Sequence, residues 1–372
     1  MGSALKTLTL RGFKSIEALD NFALGSLTVL IGANGAGKSN FVDFFRLLRA
    51  MADGVLVQFV ESSGGADGFF FLGPKNTPQI AAHLEFGENV YEFDLQPTAD
   101  GRLLIADERV QYTGGNKMGE LHSLGKGSRE SCLPARKDDP ATFGRGRGVP
   151  HYVYESVSSW TVYHFHDTSM LAPLRREQSV HDNHQLRPDA SNLAAYLLEL
   201  QRSRPVNYAL IRDTIRLVAP FFDEFWLEAK EKGGEEKVRL QWRQKGSDYP
   251  FQPHQLSDGT LRFICLATSL LQPALPASMV IDEPELGLHP YALSVLSDLI
   301  QSAAERTQVI ISTQSATLLD HFSAEQVVVV NRRDARSVFE RLNSIALAEW
   351  LAEYSVGELW QKNVVQAGPS HE

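Results

Sequence analysis

Residues Gly32 to Ser39 read Gly-Ala-Asn-Gly-Ala-Gly-Lys-Ser and meet the pattern G-x-x-x-x-G-K-[ST] at every fixed position. Glycines let a backbone turn sharply, so that successive N–H groups converge on an anion. A helix opening directly after them adds the positive end of its dipole. In such a cradle Asn34, Gly35, Ala36 and Gly37 would wrap the phosphates, with Asn40 just beyond them. Lys38 would reach the β- and γ-phosphates, and the Ser39 hydroxyl would ligate Mg²⁺. The flanks agree. Ser26 to Ile31 is a short, β-branched apolar run suited to a buried strand, and the apolar residues from Phe41 to Leu48 suit one helix face. A glycine-rich turn with a chance lysine is the bland alternative, and strand before, helix after argue against it.

A second constellation lies at Met279-Val280-Ile281-Asp282-Glu283-Pro284, an apolar strand ending in two acids. Asp282 is placed to hold Mg²⁺, and Glu283 to orient and deprotonate an attacking water. Upstream, Leu256-Ser257-Asp258-Gly259-Thr260 joins a serine N-cap to a glycine at the start of a helix reaching about Leu271. That is a second anion site, with Ser257, Asp258 and Gly259 as its residues. One nucleotide does not need two cradles in one chain. The economical reading is that this one caps the γ-phosphate held by another subunit.

The bulk composition sets the bounds. With 372 residues, 43% hydrophobic and 22% charged, the chain suits one or two globular domains. A net charge of −9 argues against wholesale coating of nucleic acid but leaves room for a local basic face. Cys132 and Cys265 stand alone, without histidine at metal-ligand spacing, which fits a reducing cytoplasm and neither a disulfide framework nor a zinc site. No apolar signal segment opens the chain. The most apolar long stretch, Leu261 to Ile281, is broken by Arg262, Gln272, Pro273 and Pro276, so no membrane association is expected.

Along the chain, Leu5 to Arg11, Ile80 to Phe86, Val90 to Gln96 and Gly101 to Gln111 predict strands of a largely antiparallel layer. Thr113 to Pro150 changes character: glycine is frequent and apolar clusters vanish. Lys117, Lys126, Arg129, Arg136, Lys137, Arg145 and Arg147 outnumber the acids there. It reads as a long surface loop or, more sharply, as a basic arm for DNA or a partner. Ser159 to Phe165 predicts a strand. Asn192 to Arg202 and Tyr208 to Val218 predict helices, the first capped by Asp189 or Ser191. Trp226 to Ala229 and Val238 to Arg243 predict a hairpin around Gly233-Gly234. The strands Met279–Ile281 and Gln308–Ile311 flank a helix from Pro290 to Ala304, a β-α-β unit that implies parallel pairing. Val327 to Val330 adds a strand, and Ile345 to Trp360 one or two amphipathic helices. The organisation expected is an N-terminal β lobe over 1–112, an inserted loop and helical lobe over 113–254, a core over 255–344 and a helical tail over 345–372. Together these form one discontinuous domain.

At these motifs the chain resembles ABC-type ATPase heads of the SMC, RecF and OLD clade, and in particular the stand-alone bacterial AAA-type ATPases of the AAA_21 kind. The resemblance rests on residues 32–39, on Leu256 to Thr260, on Ile281-Asp282-Glu283-Pro284-Glu285-Leu286-Gly287-Leu288-His289-Pro290, on Ser312-Thr313-Gln314-Ser315 and on Gly12-Phe13-Lys14-Ser15. It implies an α/β P-loop NTPase head with a mixed β core, ATP and Mg²⁺ as cofactors, and an ATP-dependent homodimer with Ser257 and Gly259 acting in trans. Leu286 to Pro290 would contact the opposite subunit. It also implies a setting in DNA repair or antiviral defence, beside a separately encoded effector such as a nuclease. Two departures stand out. Gln314 occupies the place of a switch histidine, giving it a catalytic role without a charge. The segment Tyr163 to Asp167, where the family places a Q-loop glutamine, has none. An ABC transporter ATPase subunit and a nucleotide-binding scaffold with little turnover are the other readings.

Overall fold

The computed structural model describes residues 2–114, 119–139 and 147–365. Its centre is a six-stranded sheet in the order β17-β16-β3-β15-β14-β8. These are β17 (Arg336–Arg341), β16 (Val327–Arg333), β3 (Leu27–Ile31), β15 (Gln308–Thr313), β14 (Ser278–Asp282) and β8 (Thr161–Tyr163). Every neighbouring pair is parallel except the β16–β17 hairpin. A sheet buried on both faces needs near-continuous apolar strands. Val29, Ile31, Met279, Ile281, Val309 and Ile311 face one core. Leu30, Val280, Ile310, Val328 and Val330 face the other. The first core is covered by the helices Leu193–Ser203, Pro205–Val218, Asp258–Leu271 and Pro290–Ala304.

Over the other face lie the helix Lys38–Asp53 and a six-stranded antiparallel sheet in the order β2-β1-β4-β5-β6-β7. Its strands are β1 (Leu5–Phe13), β2 (Ile16–Ala23), β4 (Ile80–Phe86), β5 (Asn89–Pro97), β6 (Leu103–Tyr112) and β7 (His122–Ser128). Phe41, Phe44, Phe45, Leu47 and Leu48 bury one face of that helix between the sheets, as their spacing predicts.

The two sheets are pinned by one amide. Gln308 is 3% exposed and uses both ends of its side chain. Its Oε1 accepts from Leu5 N at 3.2 Å and Ser278 Oγ at 2.8 Å. Its Nε2 donates to Leu5 O at 2.8 Å and Gly25 O at 3.1 Å. The bonds tie the start of β1 to the starts of three core strands.

The basic segment is more structured than its composition predicts. Within 113–150, β7 extends the antiparallel sheet, and Leu124, Leu133 and Val149 are buried. Glu108, fully buried, accepts from Tyr91 Oη at 2.6 Å, Ser131 Oγ at 2.5 Å and Cys132 N at 2.7 Å. Glu130 accepts from the Leu56 and Val57 amides at 2.8 and 2.9 Å, capping the helix Leu56–Ser62. Of the basic residues, Lys126 lies 3.3 Å from Asp107 and Arg136 2.7 Å from Asp139. Lys137 sits 4.1 Å over the Tyr154 ring. Arg129 and Arg147 are exposed, while Lys117 and Arg145 lie outside the described residues.

Smaller corrections concern boundaries. The hairpin is two nested ones: β10 (Phe222–Trp226) with β13 (Gln241–Gln244), and β11 (Lys230–Lys232) with β12 (Glu235–Val238), whose other edge pairs with β9 (Gln178–Ser179). Residues 227–229, predicted as strand, fall between them. Asn192, rather than Asp189 or Ser191, stands at the cap position of its helix, its side chain spent on Arg187 N and the carbonyls of Asp182 and Gln185. The tail forms two short helices, Ala348–Leu351 and Val356–Gln361. No described helix is long and apolar enough to cross a membrane.

Because a buried amide that loses its partners' bonds strands several groups at once, Gln308→Ala should cost about 2–4 kcal/mol of stability. Urea unfolding followed by circular dichroism measures it.

Candidate nucleotide site

Parallel strands all end at the same edge, so every residue that follows a core strand is delivered to one place. Register makes this concrete: Thr313 pairs with Ile31, Asp282 with Ser312, and Ile281 with Tyr163. The glycine loop, Asp282-Glu283, Gln314 and the segment after Tyr163 therefore converge.

The loop is bolted from behind. Gly37 has φ of 112°, and a Cβ there would collide with the Ser337 hydroxyl and lie 2.7 Å from that of Ser15. Those hydroxyls are 2.7 Å apart. Ser337 Oγ donates to Ala36 O at 2.6 Å, and Asn40 Nδ2 donates to Ser15 Oγ at 2.7 Å. Asn34 and Gly35 are exposed at the loop tip, where Arg332 donates to Gly35 O at 3.3 Å. Ser39 is exposed at the helix start.

Lys38 is buried and folds back onto the loop, donating to Gly32 O at 2.7 Å and Ala33 O at 3.3 Å. Burial lowers its pKa, against the opposing pull of Glu283, Asp282 and Glu285. Asp282 is 8% exposed, and its Oδ1 is sealed with no hydrogen-bond partner among the described residues. A buried carboxylate oxygen without a donor needs a cation. With the Ser39 hydroxyl nearby in the chain's cradle, the donor set is hard oxygen and fits Mg²⁺.

Glu283 occupies the left-handed region at φ of 48° and is held there by its amide, which donates to Ser312 O at 2.7 Å. Gln314 Nε2 donates to Glu283 Oε1. His166 Nε2 donates to Asp282 O at 3.0 Å, and its ring centroid lies 4.1 Å from that of His164. Burial lowers the His164 pKa, helped by His166 and Arg46.

Ser257, Asp258 and Gly259 open a helix as predicted, with Ser257 Oγ accepting from Thr260 N at 3.1 Å. Ser257 and Asp258 are exposed, and no hydrogen bond among the described residues joins these three to residues 32–40. Gly259 packs on Gly287 O so closely that any Cβ would clash. Two arginines fix this helix to the site. Arg175, 6% exposed, donates to Asp258 Oδ1 at 2.8 Å and Thr168 O at 2.9 Å. Arg262 donates to Phe165 O at 3.0 Å, His166 O at 3.3 Å and Leu286 O.

A family model described as "AAA domain, putative AbiEii toxin, Type IV TA system" matches residues 27–114 and 156–320, more than half of the chain. The chain belongs to the AAA_21 family. Its fold is that of the ABC-type, SMC-like ATPase head. A Smc head bound to the C-winged helix domain of ScpA matches at TM-score 0.57 and 17% identity, over 92% of this chain and 99% of that one. A Pyrococcus furiosus Smc head with an extended coiled coil, bound to the C-terminal domain of ScpA, matches at 0.57 and 15%, over 94% and 99%. A Pyrococcus yayanosii Smc head with coiled coil and joint gives 0.52 and 12%, over 94% and 99%. No curated protein matches the chain.

Seen as an AAA_21 head, the site contains residues that the motifs alone did not single out: Ser337, Arg175, Arg262 and the hydroxyl role of Ser15. Ser15 lies within the quoted Gly-Phe-Lys-Ser turn, but nothing in the sequence marks its partner 322 residues away. Glu285 was visible in the motif without a role.

The loop's packing separates its glycines. Gly37→Ala should weaken ATP binding by about tenfold or more, since strain and collision together exceed about 1.4 kcal/mol. Gly35→Ala, with no atom within 4 Å of its added Cβ, should lose less. Titration with a fluorescent ATP analogue compares them.

Proposed function

We propose that this chain is an ATP-hydrolysing switch that dimerises around its nucleotide. One observation carries the reading: the chain presents two anion-seeking helix starts, at 32–39 and at Ser257 to Gly259, and no hydrogen bond among the described residues connects them. The second start is then available to the γ-phosphate held by another copy.

In this reading the phosphates rest on the amides of residues 34–39. Lys38 exchanges the carbonyls of Gly32 and Ala33 for the β- and γ-phosphates, which relieves an ammonium now held only by main-chain dipoles. Ser39 and Asp282 hold Mg²⁺, which when bound neutralises phosphate charge. Glu283, steadied by Gln314, accepts the proton of the attacking water. The γ-phosphate supplies the contact that distinguishes dimer from monomer, and its loss releases the pair.

The setting we assign is the cytoplasm, in DNA repair or antiviral defence, with a separately encoded effector such as a nuclease. The family's description as a putative AbiEii toxin of a type IV toxin–antitoxin system supports the defence setting, and Smc heads of this fold bound to ScpA domains support a protein partner. Within the basic segment, Arg129 and Arg147 are exposed, as are the ion-paired Lys126 and Arg136, and contact with DNA would use the first two.

Glu283→Gln should retain ATP and elute from a sizing column as a dimer with ATP-Mg²⁺ and as a monomer without it. Identical elution in both conditions rejects the switch. Lys38→Ala should lose ATP binding altogether, and retained affinity would overturn the cradle assignment. Replacing Arg129 and Arg147 together should weaken DNA binding and reduce its salt slope by about 2. An unchanged slope removes the basic segment from any DNA contact.

A further inference from the structure

Glu285 stands two residues beyond the proposed general base, and the reaction as described leaves it unused. Its Oε1 accepts two hydrogen bonds, from Thr313 Oγ1 at 2.6 Å and from Gln314 N at 2.8 Å. The Thr313 hydroxyl in turn accepts from Ser315 N at 3.0 Å. One carboxyl oxygen thus orders the whole turn 313–315. From that turn the Gln314 side chain reaches back to Glu283 Oε1. Glu283 itself holds a left-handed backbone conformation that a glutamate does not adopt unaided, so its carboxylate direction depends on external restraint.

The other oxygen, Glu285 Oε2, is sealed from solvent and has no partner among the described residues. Burial raises the Glu285 pKa, against the hydrogen bonds from Thr313 and Gln314 that lower it.

We infer that Glu285 is a positioning residue: by fixing the Gln314 turn it aims the Gln314 amide at Glu283 and so holds the base in register with the attacking water. The inference rests on Glu283 being that base. A loop staple without catalytic meaning is the competing account, and it differs in what it moves. A staple affects stability and nucleotide affinity, whereas a positioning residue affects the chemical step.

Steady-state ATPase kinetics on the full chain decide between them. Glu285→Ala and Glu285→Asp should lower kcat by about tenfold or more with KM for ATP within about twofold, as misplacement of a base requires. Glu285→Gln keeps the volume and the accepting oxygen, and should stay within about threefold of the parent. Because Glu285 acts through Gln314, the double variant with Gln314→Ala should be no slower than Gln314→Ala alone. Parent-like kcat in Glu285→Asp, or additive losses in the double variant, would overturn the inference. If the alanine variant does not fold, the aspartate and glutamine pair still decides it. Glu283→Gln is run alongside: turnover there would sink the general-base reading itself, whereas its absence with a parent-like Glu285→Asp would sink only this one.

Discussion

A buried ammonium facing three carboxyl groups is the interaction around which this head is arranged. Lys38 lies under the glycine loop, within the field of Asp282, Glu283 and Glu285, yet its hydrogen bonds go to main-chain carbonyls. Salt bridges with the acids would quench both the cation and the anions that the proposed chemistry uses. The packing keeps them apart. The lysine follows β3 while the three acids stand at or just after the end of β14, and the loop carbonyls hold the lysine. The orphaned Asp282 oxygen is the complementary half of the same arrangement. Such unmet polar groups are costly in a folded core, which is why they collect where a ligand is expected.

Holding that arrangement requires a rigid frame, and the frame is built at a distance. The core sheet is apolar on both faces and is held between two packed layers. Gln308 locks the antiparallel sheet to it at the edge opposite the site. At the site edge, Ser15 and Ser337 connect the two sheets again, directly behind Gly37. The glycine loop is therefore clamped between two sheets, and its φ angles are fixed by packing as much as by glycine's freedom.

How much of this the sequence made legible follows from chain distance. The glycine loop, the Asp282-Glu283 strand end and the Ser257 cap each place their chemistry within a few consecutive residues, and all three were readable. The double-sided core strands were readable for the same reason: burial on both faces writes itself as an unbroken apolar run. The Ser15–Ser337 pair, Gln308 and Arg175 were not. Each is an ordinary polar residue whose role exists only once distant segments meet. The basic segment misled for a different reason. In β7, His-Ser-Leu-Gly-Lys-Gly-Ser has neither β-branching nor clean alternation, and its strand is imposed by pairing with β6.

The two departures from the family pattern take on meaning from the geometry. A glutamine at 314 offers an amide that donates to Glu283 whatever the pH, where an imidazole would donate or accept according to its proton. The histidines that stand where a glutamine is expected do something else. His166 donates to the main chain of Asp282, and Arg262 from the helix that Ser257 caps holds the carbonyls on either side of that histidine's peptide. The same guanidinium also reaches Leu286 O, in the loop after Glu283. Arg262 thus joins the Ser257 helix to both loops that flank Asp282. Arg262 is half-buried and its hydrogen bonds all go to main-chain carbonyls, so it ties the helix to the backbone of both loops.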